Sequence, residues 1–97
     1  MKIVRSVDVK ASTNEIVDHF ADSGAALKVE LLANSEVMIE GDANSMEFLA
    51  NYILAYLNGD EHARNINPDG AGSGFFREGS THGLYFHLLP RRHGHED

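Results

Sequence analysis

The run Asn44-Ser45-Met46-Glu47-Phe48-Leu49-Ala50-Asn51-Tyr52-Ile53-Leu54-Ala55-Tyr56-Leu57-Asn58-Gly59 sets the architecture of this chain. Met46, Leu49, Ala50, Ile53, Leu54 and Leu57 recur at the spacing of one apolar helical face. Asn44 and Glu47 have capping-box spacing, with Ser45 as an alternative cap. Asn58-Gly59 stops the helix, because glycine readily takes the left-handed backbone found there. Phe48, Tyr52 and Tyr56 make a second stripe, each one turn from the last. Its structural reading is a widening of the core contact. Its functional reading is an aromatic patch at an interface, where such rings anchor a partner.

Upstream, residues 36–40 read as a strand with Val37 and Ile39 pointing in, and Gly41-Asp42-Ala43 ends it. Residues 26–32 alternate in the same way, with Leu27, Val29 and Leu31 on one face and Lys28 and Glu30 on the other. Ala33-Asn34-Ser35 between them is a compact turn, so the pair predicts an antiparallel hairpin. A first helix spans residues 12–23. Ser12 and Glu15 fit a capping box, and Gly24 suits the left-handed position after the end. Ile16, Val17, Phe20 and Ala21 share its inner face; Glu15, Asp18 and Asp22 share the outer one. Residues 1–9 read as a strand built on Ile3, Val4, Val7 and Val9.

Downstream, residues 62–66 form a short strand candidate. The stretch Asn67-Pro68-Asp69-Gly70-Ala71-Gly72-Ser73-Gly74 breaks regular structure. Residues 84–89 read as a final strand with Leu84, Phe86 and Leu88 on one face, ended by Pro90. The order β-α-β-β-α-β-β predicts an α+β two-layer sandwich, a mainly antiparallel sheet with two helices on one face. It is a ferredoxin-like variant with an extra strand. Residues 1–90 read as one domain and residues 91–97 as a disordered polar tail.

Composition narrows the function. The chain has 97 residues, enough for one core, and is 42% hydrophobic and 24% charged. Eight basic against fifteen acidic side chains give a net charge of −7. That argues against a nucleic-acid binder, which needs a basic face to displace counterions from phosphates. Removing the tail, whose Arg91 and Arg92 balance Glu96 and Asp97, leaves the negative field on the domain. Such a field steers a basic partner and speeds its association. Cysteine is absent, which excludes disulfides and thiolate chemistry. No apolar run is long enough to cross a membrane. Met1-Lys2-Ile3-Val4-Arg5-Ser6 lacks the apolar stretch of a secretory signal, so a cytoplasmic location is expected.

Six histidines invite a search for chemistry: His19, His62, His82, His87, His93 and His95. Zinc needs several ligands converging on one point. His82 and His87 would face opposite sides of a continuous strand, and His93-Gly94-His95 lies in the tail. Solvated or hydrogen-bonded rings are the expectation, with no metal and no cofactor. A His62–His87 acid–base pair across neighbouring strands is geometrically open, yet no nucleophile or oxyanion donor is signalled. Gly70-Ala71-Gly72-Ser73-Gly74 resembles a phosphate cradle, but Phe75-Phe76-Arg77-Glu78-Gly79 does not start the helix that such loops need. The connection over residues 67–81 is long, and its two phenylalanines are costly to expose. At least one is expected on the core, leaving the other as a recognition anchor.

From Gly41 onward the sequence resembles the immunity protein 32 family of bacterial toxin-neutralising proteins. Gly41-Asp42 ends a strand, Met46-Glu47-Phe48-Leu49-Ala50 opens the helix, and His62 follows. Phe75-Phe76-Arg77-Glu78-Gly79-Ser80 then leads into residues 84–89. The likeness covers residues 41–89. Where the family tends toward an H-x-H-x-D-like strand, His62-Ala63-Arg64-Asn65 keeps the first histidine alone.

The resemblance implies a non-catalytic antidote that binds a cognate toxin in the cytoplasm. The expected partner is a basic protein toxin, with no nucleic acid and no membrane. The expected contact residues are Glu15, Asp18, Asp22, Glu36 and Glu40 for encounter, and Tyr52, Tyr56, Phe75 and Phe76 for anchoring. The alternative is a small-ligand or metal-binding domain, with a homodimer through sheet edges left open. A histidine-dependent hydrolase ranks third.

Overall fold

A computed structural model describes residues 12–90. The expectations for residues 1–9 and 91–97, including His93 and His95, lie outside the described residues. Helix α1 (Thr13–Phe20) begins where local chemistry directs. The Glu15 N–H donates to the Ser12 hydroxyl at 3.2 Å, and the Ser12 N–H donates to the Glu15 carboxylate at 2.8 Å. Two orphan donors of the first turn are thus satisfied reciprocally. Ile16 and Phe20 are buried on the inner face. The helix stops three residues short of the expected 23, at the Ala21 cap. Gly24 does take a positive φ, +81°, at the end of the following turn.

Strands β1 (Lys28–Leu31) and β2 (Val37–Glu40) form the expected antiparallel hairpin. Its register places Val29 opposite Ile39 and Leu31 opposite Val37. Leu27 and Val29 are wholly buried, whereas Leu31 and Val37 project beyond the core and are exposed. The inward reading therefore holds near the base of the hairpin and fails at its tip.

Helix α2 (Ala43–Leu57) is capped by neither Asn44 nor Ser45. The Asp42 carboxylate accepts from the Ser45 N–H at 2.8 Å. It also accepts from the Ser45 hydroxyl at 2.7 Å, and that same hydroxyl accepts the Ala26 N–H at 2.9 Å. Ser45 is buried, so one hydroxyl ties the helix start to the strand entry. The buried face of α2 is Ser45, Phe48, Leu49, Tyr52 and Ala55. This is the expected apolar stripe shifted by one residue, roughly 100° around the axis. Rings bury large apolar areas, so the aromatic side of the helix takes the core. Met46, Ile53 and Leu57 are left exposed.

The rest of the chain is less regular than expected. A 3₁₀ turn (Glu61–Arg64) replaces most of the strand expected at residues 62–66, leaving β3 (Asn65–Ile66). The strand expected at 84–89 reduces to β4 (Leu84–Tyr85), antiparallel to β3. The connection between them is ordered by specific contacts. A second 3₁₀ turn (Ser73–Phe75) starts at Gly72, whose φ is +74° and where a Cβ would lie 2.6 Å from an Ile66 side-chain carbon. Only glycine meets both conditions.

Phe75 then stacks on Phe48, centroids 4.2 Å apart and planes at 15°. Beyond it the chain runs along the free edge of β1. Leu27 N–H donates to Phe75 O, and Arg77 N–H donates to Leu27 O. Thr81 N–H donates to Val29 O, and the Ser80 hydroxyl stands in for a ladder partner by accepting the Val29 N–H.

Within residues 12–90, then, two helices accompany two separate two-stranded antiparallel ladders in one small α+β fold. A single sheet in ferredoxin-like order was expected. The physical reason for the difference is edge occupancy. The 75–81 segment covers β1, and the Tyr52 hydroxyl donates to the Asn65 carbonyl of β3 at 3.0 Å. One core joins the elements: Ile16 and Phe20, Leu27 and Val29, Phe48 and Tyr52, with Ala63, Ile66 and Phe75.

Candidate partner-binding surface

Residues 12–90 carry three cationic side chains other than histidine: Lys28, Arg64 and Arg77. Each has an acid beside it. Lys28 lies 3.7 Å from Glu30, Arg64 3.4 Å from Glu61 and Arg77 3.6 Å from Glu40. These partly exposed pairs add little stability, but they leave no described lysine or arginine to offset the remaining carboxylates.

The expected acids divide accordingly. Glu40 belongs to the Arg77 pair. Glu36 accepts from the Asn34 side-chain amide at 2.8 Å inside the hairpin turn. Glu15 is engaged in the α1 cap. Asp18 and Asp22 are exposed and have no side-chain partner among the described residues. Asp18 sits in the last turn of α1 and Asp22 just beyond its end. The helix carbonyls there already carry negative partial charge, so both acids oppose the macrodipole. They also repel each other across one turn. Stability of α1 does not account for either of them.

Between α1 and α2 lies a groove of ≈ 440 Å³ lined by Glu15, Ile16, His19, Phe20, Glu47 and Asn51. Ile16 and Phe20 give it an apolar floor, and Glu15 and Glu47 stand on its rim. His19 packs edge-on against Phe20, centroids 4.8 Å apart. Such a groove suits a lysine or arginine, whose stem lies on apolar surface while its head meets a carboxylate.

The aromatic expectations separate more sharply. Tyr52 is 3% exposed and Phe75 8% exposed. Both belong to the core, so neither is presented as an anchor, which corrects the expectation for these two. Burial pushes the Tyr52 phenol above its ordinary value, the Asp60 carboxylate adding to the effect. Tyr56 and Phe76 are half-buried and keep an accessible edge. The Tyr56 hydroxyl accepts the Leu88 N–H at 2.9 Å.

The histidines stay apart in role. His62 extends into solvent, its Nδ1 3.2 Å from an Asp60 carboxylate oxygen. It lies in the 3₁₀ turn, ahead of the β3–β4 ladder that was to set it across from His87. The His82 Nδ1 lies 2.7 Å from the Thr81 hydroxyl oxygen. No cluster of three or more metal-ligating side chains occurs among the described residues.

Asp60 is the polar residue that sequence reasoning missed. One of its oxygens accepts from the Thr13 N–H at 2.7 Å and the Thr13 hydroxyl at 2.9 Å. The other accepts from the His62 N–H at 3.0 Å. The carboxylate therefore caps two helical turns at once. The Thr13 hydrogen bonds, led by its N–H, and those from His62 hold its pKa down to about 2 against partial desolvation. Asp60 follows Gly59, where acid-after-glycine reads as an ordinary turn, and its partner is 47 residues away, so no local pattern marks it.

No helix among the described residues is long and apolar enough to cross a membrane. No protein-family model, curated protein or solved structure matches the chain.

Proposed function

We propose that this chain is a small acidic binding module, an immunity protein of the cytoplasm that neutralises a cognate basic toxin by occupying it. The supporting observation is the uncompensated charge. Every described lysine and arginine is paired within the chain, while Asp18 and Asp22 stand exposed at a helix end where they oppose the dipole. A helix that carries charge against its own stability makes sense when the charge serves another molecule. The resemblance of residues 41–89 to an immunity family points the same way.

In this reading the α1 acids attract the partner, and the α1–α2 groove seats one of its cationic side chains. The exposed edges of Phe76 and Tyr56 add apolar contact. The acidic face covers the basic cleft through which a nuclease-type toxin holds its substrate, substituting carboxylates for phosphates. No bond is made or broken. The test is to sequence the neighbouring gene and, with a secreted toxin encoded there as expected, to co-purify its product with this chain. A stoichiometric complex that suppresses that protein's activity is expected. Failure of the purified pair to associate in low salt overturns the proposal.

A further inference from the structure

The end of α2 carries a reactive pair of residues that the acidic surface does not use. Glycine follows one asparagine of the chain, at Asn58-Gly59. In that pair a backbone nitrogen reaches the preceding side-chain amide with least hindrance, because glycine has no side chain in the way. Both residues are exposed. The fold itself demands the glycine, since its φ is +103°, a backbone that residues with a Cβ rarely adopt. A Cβ there would meet nothing within 4 Å, so the approach is open. The other asparagines are placed differently. The side-chain amides of Asn34, Asn44 and Asn51 donate to Glu36, Ser23 and the Glu47 carbonyl. Asn67 precedes Pro68, whose nitrogen has no proton to lose.

Folding restrains the reaction without blocking it. Ring closure requires the Gly59 nitrogen to swing onto Cγ of Asn58. In the fold Asn58 has ψ 7°, and the Gly59 N–H donates to the Tyr56 carbonyl at 3.0 Å. That hydrogen bond must open first. It belongs to the last turn of α2, and helix ends open at the lowest cost.

We propose that Asn58-Gly59 is a site of spontaneous modification that loosens the Asp60 tie between α1 and the 3₁₀ turn. The Gly59 nitrogen loses its proton and bonds to Cγ of Asn58. The bond from Cγ to the side-chain nitrogen breaks, and that nitrogen leaves with the proton as ammonia. Water then opens the five-membered imide at either carbonyl, giving aspartate or isoaspartate. Either product adds a negative charge at a helix end whose carbonyls are already negative, two residues before the Asp60 carboxylate. Isoaspartate also lengthens the main chain by one carbon on the way to Asp60. Asp60 accepts from the Thr13 N–H at 2.7 Å, the Thr13 hydroxyl at 2.9 Å and the His62 N–H at 3.0 Å. Bonds of this length tolerate little displacement. The inference concerns the joint between the helices and is independent of the toxin reading.

The test is incubation of the full chain at mildly alkaline pH, folded and in urea, followed by peptide mass spectrometry. In the folded chain residue 58 is expected to gain one mass unit before any other asparagine, and to do so several-fold faster in urea. The purified modified chain is expected to unfold at lower urea and to exchange its Thr13 and His62 amides faster. Asn58→Asp, which has the charge without the added carbon, loses less stability than the isoaspartyl chain. Asn58→Gln, whose longer side chain would have to close a larger ring, keeps its unfolding midpoint through the same incubation. Earlier conversion at another asparagine of the folded chain overturns the proposal, as does a folded chain that stays unmodified at residue 58 while the urea sample converts. So does a modified chain whose urea midpoint and Thr13 exchange are unchanged.

Discussion

Asp60 joins the start of α1 to the 3₁₀ turn at Glu61–Arg64 through one carboxylate, and its energetic role follows from its charge. Its folded pKa of about 2 lies below the ordinary 3.8, so the folded state favours the ionised form. The contribution is complete above about pH 4 and is lost as pH falls through about 2. Asp60→Asn is expected to cost about 1–2 kcal/mol at neutral pH and to flatten the stability profile between those limits. Urea unfolding at a series of pH values reads both effects. An unchanged acid limb would show that Thr13 does not depend on the charge. Phe48 carries the apolar counterpart. It touches Phe20 edge-on, Tyr52 obliquely and Phe75 face-on. Phe48→Ala is expected to cost about 3–5 kcal/mol, measured by the same unfolding experiment.

Elements were legible in the sequence to the degree that their determinants were local. The Ser12–Glu15 capping box and the 33–35 turn depend on residues within a few positions of each other, and both form as read. The face of α2 was not legible, because the helix is apolar on two sides. Periodicity favours Met46, Ile53 and Leu57, while ring area favours Phe48 and Tyr52. The choice between them is made by Phe20 and Phe75, from distant segments. The final strand was over-read because alternation at 84–89 says nothing of the partner, and β3 supplies two residues before the 3₁₀ turn intervenes. The candidate surface was half legible. Acids on α1 were readable from helical spacing, but the engagement of Glu36 and Glu40 required the hairpin and Arg77. The exposed α1 acids also yield a prediction that separates stability from binding. Asp18→Lys and Asp22→Lys each reverse an unfavourable dipole interaction and are expected to stabilise α1 by about 0.3–1 kcal/mol. Thermal unfolding checks the gain. Destabilisation by either change would mean that the carboxylate has a structural partner.

For the whole molecule, two surfaces of opposite character follow from one packing decision. Turning the aromatic side of α2 inward leaves its aliphatic side to meet β4. Carboxylates are exposed on α1 and the hairpin, and also at Glu47, Glu61, Asp69 and Glu78, but none lines the groove between α2 and β4. The molecule thereby has exposed carboxylates on α1, to which the proposal assigns steering, and a groove between α2 and β4 that no carboxylate lines. Exposed charges are screened over roughly 8–10 Å at physiological salt, so steering by Asp18 and Asp22 must weaken as salt rises, whereas apolar contact persists. The measurement that bears most directly on this is the association rate with the basic partner as a function of ionic strength, for the natural chain and for the Asp18→Lys, Asp22→Lys double variant. The natural chain is expected to associate fast in low salt and to slow steeply as salt is added, while the better-folded double variant associates slowly throughout. Rates that ignore salt, or a double variant as fast as the natural chain, would contradict a function built on the negative surface.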